Sequence, residues 1–235
     1  NFILKGISFS LSEGESLAII GATGSGKSTL VNTLCRFYDI QKGNILFDGK
    51  PIKSINKYDL RRQIALVQQD VFLFSGNISD NIRLGNHHIV QEEIESISQS
   101  VCAHKFISNL PFKYDQELKE GGVGISSGQM QLISFARALA SNPRILVLDE
   151  ATSSVDLETE SQIQSGIQEL IRERTSIIIA HRISTLMYAD KILVLKHGQI
   201  VEFGFRKELL QQKGIFYKLC QSQLQSQSLT SDNVE

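Results

Sequence analysis

Leu17-Ala18-Ile19-Ile20-Gly21-Ala22-Thr23-Gly24-Ser25-Gly26-Lys27-Ser28-Thr29 is the stretch on which the fold turns. Its four apolar residues have the length of a buried strand. Gly21 to Ser28 then fit GxxxxGK[ST], and the segment Ser28–Tyr38 reads as a helix, so the motif stands in the strand–loop–helix context it requires. Glycines let the backbone turn until several N–H groups converge on one anion. The helix that opens there adds a partial positive charge. Lys27 supplies a full charge to β- and γ-phosphates, and the Ser28 hydroxyl can ligate Mg²⁺. The candidate nucleotide-binding residues are therefore Gly21, Ala22, Thr23, Gly24, Ser25, Gly26, Lys27, Ser28 and Thr29.

Working outward, the apolar run Ile145–Leu148 leads into Asp149-Glu150. Two carboxylates at the carboxyl end of a strand sit where α/β sheets bind ligands. Asp149 is placed to hold Mg²⁺ and Glu150 to polarise an attacking water, because phosphoryl transfer needs a metal holder beside its phosphate cradle. Further strands are expected at Ile64–Val67, Ser176–Ala180 and Ile192–Leu195. Ile163, Ile167, Leu170 and Ile171 mark a helix after Asp149-Glu150. This β-α-β alternation predicts a parallel sheet covered by helices. Phe2–Leu11 and Ser16–Ile20 read as two strands joined through Glu13-Gly14-Glu15, and Asn44–Ile52 as a hairpin turning at Asp48-Gly49. Between Val71 and Ala140 the pattern is mostly helical, with candidates at Ile78–Leu84 and Gln91–Val101. A stripe through Leu132, Ile133, Ala136, Leu139 and Ala140 ends at Asn142-Pro143.

A chain of 235 residues with 41% hydrophobic and 21% charged residues suits one large α/β domain. A net charge of −1 offers no global basic field for nucleic acid. No apolar run is long enough to span a membrane, and no signal peptide is seen. Cys35, Cys102 and Cys220 have no metal-ligand spacing and fit a reducing compartment. The opening Asn1 suggests a piece cut from something longer, and the Gln- and Ser-rich residues 221–235 are expected to be disordered.

Ile125-Ser126-Ser127-Gly128-Gln129 stands directly before the helical stripe, with Asp149 following 20 residues after Gln129. It resembles the LSGGQ signature of ABC ATPases, with Ile for Leu and Ser127 for the middle Gly. Physically it is a second anion site, a hydroxyl and backbone N–H groups at a helix start. The resemblance implies that Ser126, Gly128 and Gln129 cap the γ-phosphate of a nucleotide held by a second domain. Gln69 resembles the Q-loop glutamine that touches Mg²⁺ and the water. Gln68 competes for that role, since the family often has Pro there, but Gln69 leaves Asp70 and Phe72-Leu73-Phe74 in register. Ser153-Ser154-Val155-Asp156 resembles the D-loop, and His181 the switch histidine. The implied catalytic set is Glu150, His181 and Gln69, and the implied metal set is Ser28, Gln69 and Asp149, with ATP and Mg²⁺ as ligands.

The implied fold is α/β, a P-loop NTPase (RecA-like) core with a mainly parallel sheet, an N-terminal antiparallel β subdomain and a helical signature subdomain. Residues 1–70 and 143–205 would form the core and β subdomain, and 71–142 the helical part, within an ATPase domain over 1–220. Phe72-Leu73-Phe74-Ser75-Gly76-Asn77-Ile78 resembles the exporter pattern, Glu120-Gly121-Gly122 the exporter X-loop, and Glu202-Phe203-Gly204 with Glu208-Leu209-Leu210 the family's C-terminal segment. The resemblance extends to bacterial exporters of the MsbA and multidrug group. It implies an upstream membrane domain on the same polypeptide, a second and identical ATPase domain as partner, a place at the cytoplasmic face of the cell (inner) membrane, and no nucleic-acid partner. An ABC ATPase of translation or DNA repair would carry tandem domains or long coiled-coil inserts, and a small-molecule P-loop kinase would lack Ile125–Gln129.

The aromatic residue on which this family stacks adenine is expected upstream of Ile3-Leu4-Lys5. Restoring roughly ten native upstream residues should tighten ATP binding by about 1–3 kcal/mol. Unchanged affinity in an ATP titration would refute this.

Overall fold

The apolar runs become strands of one sheet in a computed structural model of the chain, which describes residues 2–84, 86, 88–149, 157–180 and 183–222. The first half contains β1 (Ser16–Ile20), α1 (Lys27–Leu34), β2 (Leu46–Phe47), β3 (Lys50–Pro51), α2 (Lys57–Arg62), β4 (Ile64–Val67), β5 (Gly76–Asn77), α3 (Ile78–Arg83), α4 (Gln91–Ser100), α5 (His104–Ile107) and β6 (Glu117–Leu118). The second contains α6 (Ser127–Ala140), β7 (Ile145–Asp149), α7 (Leu157–Ile171), β8 (Thr175–Ile179), α8 (Ile183–Leu186), β9 (Lys191–Lys196), β10 (Gln199–Phe205) and α9 (Arg206–Gln212), and a last helix follows over 215–222.

The main sheet has the order β10-β9-β1-β8-β7-β4. Its strands are parallel except β10, which returns antiparallel on β9. Successive side chains of a strand leave by opposite faces. On β1, Leu17 and Ile19 therefore join one cluster with Leu30 and Val31 of α1, while Ala18 and Ile20 join another with Leu132 and Phe135 of α6 and Ile163 and Ile167 of α7. Both faces are covered, which is why the central strands read as continuous apolar runs rather than alternating ones. The packing of α7 on α6 is close. A Cβ on Gly166 would lie 2.9 Å from Phe135 Cδ2 and 3.2 Å from the Val101 carbonyl oxygen.

The mainly parallel P-loop architecture is as the sequence implies. One expected strand is not. Residues 2–11 form no ladder, although Leu4, Ile7, Phe9 and Leu11 do pack against the α1-side cluster. Their alternation is satisfied by lying on the sheet's face, with Lys5 N donating to Gly198 O at 2.7 Å. The expected hairpin is present as β2 and β3, pairing Leu46 with Pro51 and Phe47 with Lys50. Arg144 pins its Asp48-Gly49 turn to the core, donating from Nη1 to Asp48 Oδ2 at 2.7 Å. Gln221 and Ser222, expected in a disordered tail, end the last helix, and residues 223–235 lie outside the described residues.

Gly166→Ala forces Phe135 or the helix backbone to shift. It should destabilise the fold by about 1–3 kcal/mol, read as a lowered urea midpoint; an unchanged midpoint would show that α6 and α7 can part at no cost.

Candidate functional site

β1 delivers the chain to the carboxyl edge of the sheet, and α1 starts seven residues later at Lys27. The intervening loop is tightly folded, with Ser25 N donating to Ala22 O at 3.0 Å and Leu30 N to Gly26 O at 2.9 Å. Gly21 has no room for a side chain: a Cβ would collide with the Leu195 carbonyl oxygen and lie 2.7 Å from Ser25 Oγ. Lys27 is 7% exposed, and its Nζ donates to Gly21 O at 2.7 Å and to Ala22 O at 3.3 Å. Burial pushes its pKa down, while the nearby Asp149 carboxylate pulls the other way. Ser25 Oγ is buried without a hydrogen-bond partner among the described residues. A desolvated ammonium and an orphaned hydroxyl within one ring of backbone are groups that an anion would satisfy.

Support comes from a turn that sequence reasoning missed. Gly198, between β9 and β10, donates its N–H to Ser25 O at 2.9 Å while its own carbonyl accepts from Lys5. A Cβ there would collide with the Ile3 carbonyl oxygen. The only sequence signal was Lys196-His197-Gly198-Gln199, a polar break between two strand-like runs.

The acidic edge lies beside this loop. Asp149 closes β7 and is paired with Ile179 of β8, which is paired in turn with Ile19 of β1. Two strand spacings, about 10 Å, therefore separate Asp149 laterally from the strand that feeds the loop. Ser28, in the first turn of α1, is exposed, and Thr29 is half-buried. Gln69 follows the end of β4 by two residues, and β4 is paired with β7 through Val67 and Leu148. Ser28, Asp149 and Gln69 thus occupy the same end of the sheet. No group of three His, Cys, Asp or Glu stands ready for a metal among the described residues. Glu150, His181 and Ser153–Asp156 lie outside the described residues.

The Ser126 segment is built as a helix start. Ser126 is the N-cap of α6, accepting from Gln129 N at 3.2 Å, and its own N–H donates to Gln129 Oε1 at 3.1 Å. This reciprocal capping fixes the first turn. Ser126 and Ser127 are exposed and Gly128 is buried. The packing separates this end from the phosphate loop. The loop heads α1, which lies on the face of Leu17 and Ile19, whereas Ser126 heads α6, which lies on the face of Ala18 and Ile20.

A groove opens beside Gln68, Asp70, Phe72 and Phe74, at the edge strand β4. The Phe72 and Phe74 rings meet edge to face at 5.2 Å, and Leu73 between them is fully buried. Buried Asn81 of α3 holds this loop: its Oδ1 accepts from Phe74 N at 2.9 Å and its Nδ2 donates to Phe74 O at 2.9 Å and Asn77 O at 3.1 Å. Arg137 of α6 completes the knot, donating to Asn81 O at 2.8 Å, Asn81 Oδ1 at 3.0 Å and Phe72 O at 3.0 Å. Burial lowers the Arg137 pKa. Gly121 N donates to Leu73 O at 3.0 Å, tying the Glu120-Gly121-Gly122 segment to the same loop. Gln68 lines this groove and Gln69 is not among its lining residues.

A family model described as ABC transporter matches residues 4–153. A protein named for multidrug export as an ATP-binding/permease protein, from Staphylococcus aureus (strain bovine RF122 / ET3-1), is 48% identical over 217 residues, covering 92% of this chain and 38% of its own length. The ABC transporter ATP-binding protein YknV of Bacillus subtilis (strain 168) is 48% identical over 220 residues, covering 94% of this chain and 36% of its own. A solved bacterial Atm1-family ABC exporter with ATP bound superposes with a TM-score of 0.86 at 39% identity, covering 94% of this chain and 39% of that one. The chain thus spans well under half the length of the relatives it matches.

Asn81→Ala removes the amide that joins α3, the Phe72–Phe74 loop and Arg137. It should cost about 2–3 kcal/mol and speed hydrogen exchange at the Phe74 amide. Unaltered exchange there would mean that the loop is held by something else.

Proposed function

The chain belongs to the ABC transporter family as an ATPase domain, and from that premise we propose that it powers an exporter by closing with a second ATPase domain around two ATP molecules. The observation that carries this reading is the placement of the two anion sites on opposite faces of one sheet. With α1 packed on one face of the sheet and α6 on the other, the start of α6 that caps a nucleotide in the Gly21–Ser28 loop is taken to come from a second copy. An identical copy suffices, because this sequence carries both the phosphate loop and the Ser126–Gln129 cap.

The chemistry follows from the groups in place. On binding, the Lys27 ammonium exchanges the Gly21 and Ala22 carbonyls for phosphate oxygens, and Ser25 Oγ gains a partner. Ser28 and Asp149, with Gln69 at the same edge, would hold Mg²⁺, which would supply neutralisation of the charge that develops in phosphoryl transfer. Glu150, next after Asp149 in sequence, orients and deprotonates the attacking water, and His181 contacts the γ-phosphate. Ser126 and the N–H groups of the partner's α6 start cap the γ-phosphate oxygens. After cleavage the added negative charge in the seam drives the two domains apart. The groove at Phe72 and Phe74 receives a cytoplasmic helix of the membrane domain and is moved by Gln69 and by the Glu120–Gly122 segment.

On this reading residues 1–70 and 143–205 hold the nucleotide and 71–142 carry the cap and the groove. No described helix is long and apolar enough to cross a membrane. The membrane-spanning part belongs to the remaining length that the relatives possess, and this chain works at the cytoplasmic face.

Glu150→Gln should retain MgATP, hydrolyse it at least about 100-fold more slowly, and accumulate as a dimer in light scattering. Adding Ser126→Ala should return it to monomer. A native rate in the Glu150→Gln variant would remove Glu150 from the role of base, and a monomer at saturating MgATP would overturn the two-domain arrangement. Separately, MgATP should raise the melting temperature of the native chain, and Lys27→Met should abolish that rise; an equal rise in both would separate Lys27 from the nucleotide.

A further inference from the structure

The groove at Phe72 and Phe74 has an internal volume of about 380 Å³, and its lining includes Asp70, Phe72, Phe74, Arg83, Leu84 and Arg137. Phe72, Phe74 and Leu84 are 47%, 49% and 52% exposed, a large apolar outlay for a surface. The Asn81–Arg137 knot fixes the two rings in place, so little ordering is left for whatever lands on them.

The two arginines of the groove differ. Arg137 spends three nitrogens on Asn81 and Phe72 oxygens and lies over the Phe74 ring at 5.7 Å, so it is part of the wall. Arg83, at the end of α3, is under-used. Its Nε is buried with no hydrogen-bond partner among the described residues. Its one ion pair among the described residues is a long contact, Nη1 to Asp80 Oδ1 at 3.5 Å, and Asp80 is 60% exposed at its side chain. The Arg83 side chain is still 24% exposed, and the Nη1–Nη2 edge of its guanidinium, engaged only by that long contact, matches the two oxygens of a carboxylate.

Resting on the reading that a membrane-domain helix docks here, we propose that this helix carries an Asp or Glu whose carboxylate pairs with Arg83, while its apolar side lies on Phe72, Phe74 and Leu84. Charge complementarity selects this occupant: the groove offers an unfilled cationic donor beside aromatic surface. The polypeptide to supply it exists, since relatives extend to more than twice the length covered here. Arg83 then acts as a coupling residue, recognising a partner and touching no nucleotide.

The test uses the full-length transporter in lipid vesicles, reading transported-substrate stimulation of its ATPase. Arg83→Glu should lower that stimulation about tenfold, the scale of one close interfacial charge pair, and Arg83→Lys should recover part of it. In the Arg83→Glu background, each Asp and Glu of the cytoplasmic loops is changed to Lys in turn, and one change should restore stimulation to within about twofold of native. Restoration by none, or full stimulation in Arg83→Glu, overturns the proposal. So does a loss seen only in vesicles with anionic lipid, which would assign Arg83 to a headgroup. A melting temperature of the isolated Arg83→Glu chain lowered by more than about 5 °C, with no loop change restoring activity, also counts against it, because Arg83 would then be structural. Absence of ATPase in the native transporter would instead sink the function proposed above.

Discussion

A parallel sheet can leave neither face to water, because its crossover connections must pass over both. Here that constraint places α1 on one side and α6 and α7 on the other. Covering the sheet therefore also sets two helix starts on opposite faces, α1 after the glycine loop and α6 after the Ser126 cap. Their separation by the thickness of the sheet is a packing result, and the proposed pairing of two copies rests on it.

The Gly21–Ser28 loop is braced by groups spread over the chain. Gly21 is wedged between Leu195 and Ser25, and the Gly198 turn grips Ser25 from behind while holding Lys5 on its other side. The N-terminal segment and the β9–β10 hairpin therefore support the glycine loop from outside it. Across the sheet, Asn81 and Arg137 do the same for the aromatic loop. In both places backbone carbonyls are satisfied from a distant part of the sequence, which ties together segments far apart along the chain.

Much of this was legible in the residues. The strands of the parallel sheet appear as apolar runs of the right length, and Gly21–Ser28 and Ser126–Gln129 name their own conformations, one through glycine spacing and the other through a serine three residues before a glutamine. Residues 2–11 misled because alternation reports which side chains are buried, and burial against a sheet's face produces the same pattern as pairing within one. The two-residue ladder of β5 with β6 was invisible, since Gly76-Asn77 and Glu117-Leu118 are too short to carry any period. Asn81 and Arg137 look like ordinary polar positions of two helices; only the meeting of α3 with α6 gives them a role. Glu150 and His181 rest on their sequence context alone.

The cap at Ser126 carries a further consequence. A hydroxyl oxygen that accepts from Gln129 N still has its own hydrogen to give away, so the helix end stays sealed while the same atom reaches outward. An aspartate would seal the helix equally well, but with no hydrogen to offer and a charge that repels phosphate. Serine at this position lets one side chain finish its own helix and still have a hydrogen to offer an anion brought by the proposed second copy.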